Sequence, residues 1–213
     1  MHLIHRGILN KNYKENILKS FKASFKKGYG IETDIHATKD EKFVCFHDFT
    51  LNRIFKKKKS VKDMKYSQIK NISDQNKKPI PLLKDLLNAS KNKYPLFIEI
   101  KPTFSKKILK KLLHETSKFS KCIFISFRHK NIYNILKIRS STKVGLSYSR
   151  SASVKTIIKK SNNNKINFLV LDKFFLQNKK VNATKIRKYY YTIKTKSEFK
   201  RYSKNNNLIF ENL

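Results

Sequence analysis

Tryptophan is absent from this 213-residue chain, and glycine, proline, cysteine and acidic residues are all scarce. Gly 4 and Pro 4 leave no material for a flexible or proline-rich linker, which excludes tethered modules and predicts one domain over 1–213. Two cysteines, Cys45 and Cys122, are too few for a disulfide framework or a cysteine metal site. Each lies in an apolar run, FVCF and CIFI, where a small buried thiol belongs. No apolar run reaches the ~18 residues of a membrane span. The opening His2-Leu3-Ile4-His5-Arg6 lacks the apolar stretch of an export signal, so the expected compartment is the cytoplasm. Acids are the most telling shortage: Asp+Glu 14 stand against Lys+Arg 50, a formal net charge of +36. That balance suits a disordered basic tail, a binder of nucleic acid or membrane surface, or a folded domain with a lysine-rich solvated face. Hydrophobic residues at 39%, with Phe 16 and Tyr 10 clustered from end to end, exclude the first.

Short β-branched or aromatic runs at 2–5, 30–35, 43–46, 95–100, 122–127, 143–148, 166–171, 188–193 and 207–210 predict strands. Between most of them, apolar residues recur at helical spacing, as in Ile17, Phe21, Phe25 and Ile108, Leu112, Leu113. Strand alternating with helix about eight times predicts an α/β fold, either a TIM (β/α)₈ barrel or an open doubly wound sheet. A barrel would be short, since about 250 residues is typical. Its C-terminal end would be trimmed, because Leu213 follows directly on the last apparent strand. Residues 49–81, with the lysine run at 56–59 and scattered apolar positions, read as a small insertion after the second strand.

Because acids are few, their placement is informative. Glu32 and Asp34 stand two apart in GIETDI and project to one side of a strand, as do Glu99 and Lys101 at the end of PLFIEIK. His5-Arg6 closes the first run and His47-Asp48 closes FVCF. At the carboxyl ends of parallel strands such groups converge on one site. Glu32, Asp34 and Glu99 make an all-oxygen set suited to one divalent ion, Mg²⁺ or Ca²⁺. Two histidines titrating near neutrality can serve as general base and general acid, while Arg6 and Lys101 supply charge for an anionic substrate. Together these groups suit phosphoryl chemistry.

The ordered set HRG at 5–7, Glu15-Asn16, GIETDI at 30–35, TKD at 38–40, HD at 47–48 with an arginine at 53, IPLL at 80–83 and EIK at 99–101 resembles the glycerophosphodiester phosphodiesterase family. The second half is similar through ISF at 125–127, Gly145-Leu146 and YTIKT at 191–195. The resemblance implies a TIM barrel and a metal-dependent phosphoric diester hydrolase that releases an alcohol and glycerol 3-phosphate. It further implies a divalent metal on Glu32, Asp34 and Glu99, acid and base roles for His5 and His47, and substrate contacts from Arg6, Lys101 and Tyr191. Tyr191 stands where the family usually has tryptophan, and LIFENL at 208–213 replaces the usual aspartate, proline and closing helix. Barrel closure and the wall beneath the aromatic contact are therefore where this chain departs from the pattern.

His2, His36, His114 and His129 are expected to be surface or satisfied core groups. Asp40 and Asp48 read as turn, capping or supporting residues, and Asp172 as structural. Phe127 and Tyr191 suit barrel core and substrate wall equally. Two alternatives stand beside the diesterase reading. One is lysophospholipase D-like action on lysophospholipids by the same site. The other is a non-catalytic protein for nucleic acid or an anionic membrane, with tyrosines 189–191 and phenylalanines 174–175 as stacking platforms.

Overall fold

Eight of the nine predicted strands pair in parallel and close on themselves, with β9 hydrogen-bonded to β1 and β1 to β2. The computed structural model describes residues 1–211. In chain order the elements are β1 (Leu3–His5), α1 (Leu18–Lys26), β2 (Gly30–Ala37), β3 (Phe43–Cys45), α2 (Asn52–Phe55), a 3₁₀ turn (Val61–Asp63), α3 (Tyr66–Gln75) and α4 (Leu83–Ser90). There follow β4 (Leu96–Ile100), α5 (Lys106–Glu115), β5 (Cys122–Ser126), α6 (His129–Ile138), β6 (Val144–Tyr148), α7 (Val154–Ser161) and β7 (Phe168–Asp172). A second 3₁₀ turn (Lys173–Gln177), α8 (Lys179–Asn182), β8 (Arg187–Ile193), α9 (Lys196–Tyr202) and β9 (Asn207–Phe210) complete the series. This is a TIM barrel. No helix among the described residues is long and apolar enough to cross a membrane.

The run at 43–46 departs from its predicted place. β3 is antiparallel to the upper end of β2, pairing Ile35 with Cys45 and Ala37 with Phe43, and is not a stave of the barrel. β2 runs past its last pair with β1, at Glu32, and with β4, at Ile35, and β3 pairs with the end that projects. Between β3 and α4 the chain builds a second apolar cluster from Val44, Phe46, Leu51, Phe55, Val61, Met64, Ile69 and Ile80. The Lys56–Lys59 run is exposed on its outside.

Closure, the expected weak point, is achieved by β9 itself: Leu3 pairs with Ile209 and Ile4 with Phe210. The predicted trimmed end at Leu213 involves residues 212–213, which lie outside the described ones.

Alternation along the staves separates two cores. One face of each strand, including Ile4, Ile31, Ile98, Phe124, Leu169 and Leu208, meets the helices. The other face, with Leu3, Phe97, Ile123, Ile125, Phe168, Val170, Tyr189 and Ile209, fills the barrel. Tyr189 and Tyr190 are buried, one on each side of the strand, so they cannot serve as stacking platforms. At the bottom of the barrel Gly30 has no room for a side chain: a Cβ there would lie 2.5 Å from both Cγ and the carbonyl oxygen of Pro95. Gly30→Ala is therefore expected to cost about 1–3 kcal/mol of stability, read as a lowered urea midpoint; an unchanged midpoint would show that Pro95 yields without cost.

Candidate active site

Going up the inward face, the residues change at one level from an apolar layer to one of titratable and aromatic groups. Leu3 is followed two residues on by His5, Phe97 by Glu99 and then Lys101, Ile123 and Ile125 by Phe127, Tyr189 by Tyr191, and Ile209 by Glu211. On β2, Glu32, Asp34 and His36 continue the same face. The register places Glu32 opposite His5 and Asp34 opposite Glu99. A cavity of about 200 Å³ opens here. His5, Arg6, Glu32, His47, Glu99, Lys101 and Tyr191 line it, and buried Asp34 touches Arg6 and Lys101 of that lining.

The local turn after β1 makes this possible. Arg6 and Gly7 both take left-handed conformations, with φ 56° and 77°. A Cβ on Gly7 would come 2.8 Å from Ser20 Cβ, so glycine permits the close approach of α1. The Arg6 amide donates to the Glu32 carbonyl (2.8 Å), and the Asn16 amide donates to the Arg6 carbonyl (2.9 Å). Asn16 is buried and links Thr33, whose hydroxyl it accepts at 2.8 Å, to Asp34.

One oxygen from each of Glu32, Asp34 and Glu99 falls within 4.8 Å of the others. Burial, then the charges of Asp34 and Glu99, push Glu32 well above the usual carboxylate range. Burial and the Asp34 charge push Glu99 up to about 7. Asp34 goes the other way: burial alone would raise it, but Arg6 and Lys101 outweigh that and hold it low. Arg6 Nε lies 3.1 Å from Asp34 Oδ2, and Lys101 Nζ lies 2.9 Å from Glu99 and 3.5 Å from Asp34. Glu32 Oε2 is buried without a hydrogen-bond partner, 3.7 Å from His5 Nε2. A hard, all-oxygen donor set with an orphaned carboxylate oxygen fits a divalent cation.

Each histidine is braced at Nδ1 by a carboxylate. His5 Nδ1 is 3.1 Å from Glu211 Oε2, and His47 Nδ1 is 2.6 Å from Asp48 Oδ1. A carboxylate at Nδ1 fixes the proton there and leaves Nε2 as the exchanging nitrogen. Asp48 is in turn held by Arg53, whose Nε donates at 2.6 Å, and Arg53 also pairs with Glu15. Glu15 lies 3.5 Å from Arg6, so one polar chain connects the two histidine neighbourhoods. Buried His36 fixes the backbone, with Nε2 3.1 Å from the His47 carbonyl; burial lowers it to about 4 and keeps it neutral. Burial also lowers His47.

The supporting groups Glu211, Glu15, Arg53 and His36 were not singled out for roles from sequence. Glu211 carried a readable signal, since it follows Ile209 by the same two-residue step that links Phe97 to Glu99. Arg53 pairs with Glu15 across 38 residues of sequence, and nothing local announces that contact. Asp40 accepts from Thr38 and from the Tyr66 amide, and Asp172 caps the turn at Phe174, both structural as expected. His2 accepts from the Leu208 amide and His129 is bonded to Ser147 and Lys160, so both are satisfied groups.

The model of the glycerophosphoryl diester phosphodiesterase family matches residues 5–207. The chain belongs to that family. Among curated relatives of this family member, a glycerophosphodiester phosphodiesterase of Caldanaerobacter subterraneus subsp. tengcongensis is 30% identical over 161 residues, 68% of this chain. The match spans 65% of that relative's length, just under two-thirds. An Oleispira antarctica phosphodiesterase solved with the product sn-glycerol-3-phosphate superposes with a TM-score of 0.83 at 18% identity, covering 98% of this chain and 91% of the other. A putative glycerophosphodiester phosphodiesterase from Galdieria sulphuraria gives 0.86 at 17% identity, covering 98% and 92%. At these identities the structural likeness establishes the shared barrel.

Glu211 is the family member's brace on His5. The His5 hydrogen bond holds its carboxyl at about 2, against the opposing effect of burial, and Lys194 Nζ lies 3.1 Å from its other oxygen. Glu211→Gln keeps the shape and loses the charge. With His5 as a proton-transferring group, the reading proposed below, a fall of roughly 10–100-fold in kcat/KM is expected, the size found for partners that orient metal-bound histidines; a variant as active as wild type would mean that His5 needs no brace.

Proposed function

We propose that this protein hydrolyses glycerophosphodiesters to an alcohol and glycerol 3-phosphate. The observation that carries the proposal is the pairing of two carboxylate-braced histidines with a buried triad of carboxylates at one cavity. Glu32, Asp34 and Glu99 would hold one divalent ion, with Mg²⁺ and Ca²⁺ the candidates for an all-oxygen set. When bound, such an ion supplies positive charge against a phosphoryl oxygen and lowers the pKa of an oxygen nucleophile.

The remaining work falls to the protein's own groups. Arg6 and Lys101 bind the anionic phosphate and are kept charged by the acids around them, Asp34 foremost, despite burial. Burial favours neutral His47, so its Nε2 accepts a proton from the attacking hydroxyl, whether of water or of the substrate's own glycerol. His5 then gives a proton from Nε2 to the leaving alkoxide, which departs as the alcohol. Where water attacks, glycerol 3-phosphate forms at once and solvent returns a proton from His47 to His5; where the glycerol hydroxyl attacks, a cyclic phosphate forms, and water opens it as His5 takes the water's proton and His47 returns its own to the glycerol oxygen. Tyr191 donates its hydroxyl to the Tyr148 carbonyl at 3.0 Å and stands edge-on to Phe127, forming an aromatic wall for the glycerol or the departing alcohol.

The test is product release from glycerophosphocholine and glycerophosphoethanolamine, with added Mg²⁺, added Ca²⁺ or a chelator, for wild type and Glu32→Ala side by side. Metal-dependent release of glycerol 3-phosphate by wild type alone is expected. Indifference to chelator, or an active Glu32→Ala, would contradict the assignment.

A further inference from the structure

Among the described residues four large apolar side chains are exposed: Met1 at 57%, Phe49 at 48%, Phe127 at 41% and Phe174 at 64%. Single exposed apolar residues are ordinary on protein surfaces. The distribution of these is not, because all three phenylalanines stand on the rim of the active-site mouth. Phe127 follows β5 directly and lines the cavity. Phe174 follows β7 by two residues, in the turn at the same end of the barrel. Phe49 stands on the ring of His36, the residue above Asp34 on the inward face of β2, with centroids 5.1 Å apart. None of the three belongs to a packed core cluster.

Two cations between these rings are in no ion pair among the described residues: Arg128 and Arg150, exposed in the loops after β5 and β6. Arg53 and Lys194 are exposed as well but paired with acids. The acids of the rim are already engaged: Asp48 by Arg53, Glu198 by Lys173, Glu211 by His5 and Lys194. Exposed rings set among unneutralised cations, on one rim of a protein of net charge +36, match an anionic bilayer, whose headgroups attract the cations and whose interior accepts the rings. A soluble polyanion would use the cations and leave the rings in water.

We propose that the mouth of the barrel is a docking face for an anionic membrane surface. Docking is measured without turnover. Flotation with vesicles of phosphatidylcholine mixed with phosphatidylglycerol, against vesicles of phosphatidylcholine alone, tests it with wild type, Phe174→Asp and Arg150→Glu. Wild type is expected to float with the anionic vesicles and far less with the neutral ones. Phe174→Asp is expected to bind them roughly tenfold or more weakly, the loss when one phenyl ring no longer leaves water. Its retention on heparin and its hydrolysis of soluble glycerophosphocholine should stay near wild type.

A wild type that fails to float, or a Phe174→Asp variant that floats as well as wild type, would overturn docking. Vesicle binding that is lost in Arg150→Glu, parallels heparin binding and ignores Phe174→Asp would also overturn it, in favour of plain polyanion attraction.

Discussion

His47→Ala is expected to lower kcat/KM for glycerophosphocholine by roughly 10²–10⁴-fold, the usual contribution of a positioned proton acceptor. His5→Ala should cost a comparable factor on that substrate, because a choline alkoxide leaves poorly unless it is protonated. The two variants should part on a p-nitrophenyl diester of glycerophosphate, whose leaving group departs without a proton. There His5→Ala should recover most of its loss, and His47→Ala should recover little. The double variant should fall little further than the worse single one on the choline diester, since the two histidines act in one step. Equal sensitivity of both variants to the leaving group would sink the division of labour, and activity surviving in the double variant would sink the pair altogether.

The second large effect concerns the carboxylates. Glu99 is raised to about 7 and Glu32 is raised well beyond its ordinary range, so in the metal-free protein both hold protons that the unfolded chain would release. Carboxyls with raised folded pKa values favour the folded state at low pH, and the advantage fades as pH climbs from the ordinary carboxylate range toward the folded value. Metal-free protein should therefore lose stability between about pH 5 and pH 7 on this account. A divalent ion binds the ionised forms, so it should release protons and raise Tm more at about pH 8 than at about pH 6. At about a hundredfold excess over its dissociation constant the rise should be roughly 5–10 °C. Glu32→Gln mimics the protonated carboxyl, so it should leave the metal-free Tm near wild type and abolish the rise. A Gln variant that keeps the rise, or a metal response equal at both pH values, would remove Glu32 from the ligand set or the protonated carboxyls from the account.

Much of this was legible from residue order. Inward alternation fixes which side chains face the lumen, so Glu32 with Asp34, and Glu99 with Lys101, were readable as neighbours once the runs were taken as parallel staves. The apolar content of 122–127 and 166–171 likewise sufficed to mark them as strands. Three features escaped that reading. The run at 43–46 looks like any other stave, because composition does not encode strand direction; only the extra length of β2 turns it into a hairpin. Closure by β9 depends on the register of Ile209 against Leu3, which four residues of sequence cannot specify. The braces on the histidines are contacts across large sequence separations, 206 residues for His5 with Glu211. Such contacts exist only after the barrel has closed.

The two histidines hang on parts of the molecule that need not share a fate. His5 ends a barrel stave hydrogen-bonded on both sides. His47 leaves a three-residue strand and opens the excursion that packs its own small cluster around Leu51, Val61 and Ile69. A small cluster opens at lower free energy than a whole barrel. On the proposed division of labour, heating should disarm the site before the barrel melts, because His47 would be carried away on a loosened flap while the eight staves, the three carboxylates and His5 remain assembled. Activity would return on cooling without any refolding of the barrel.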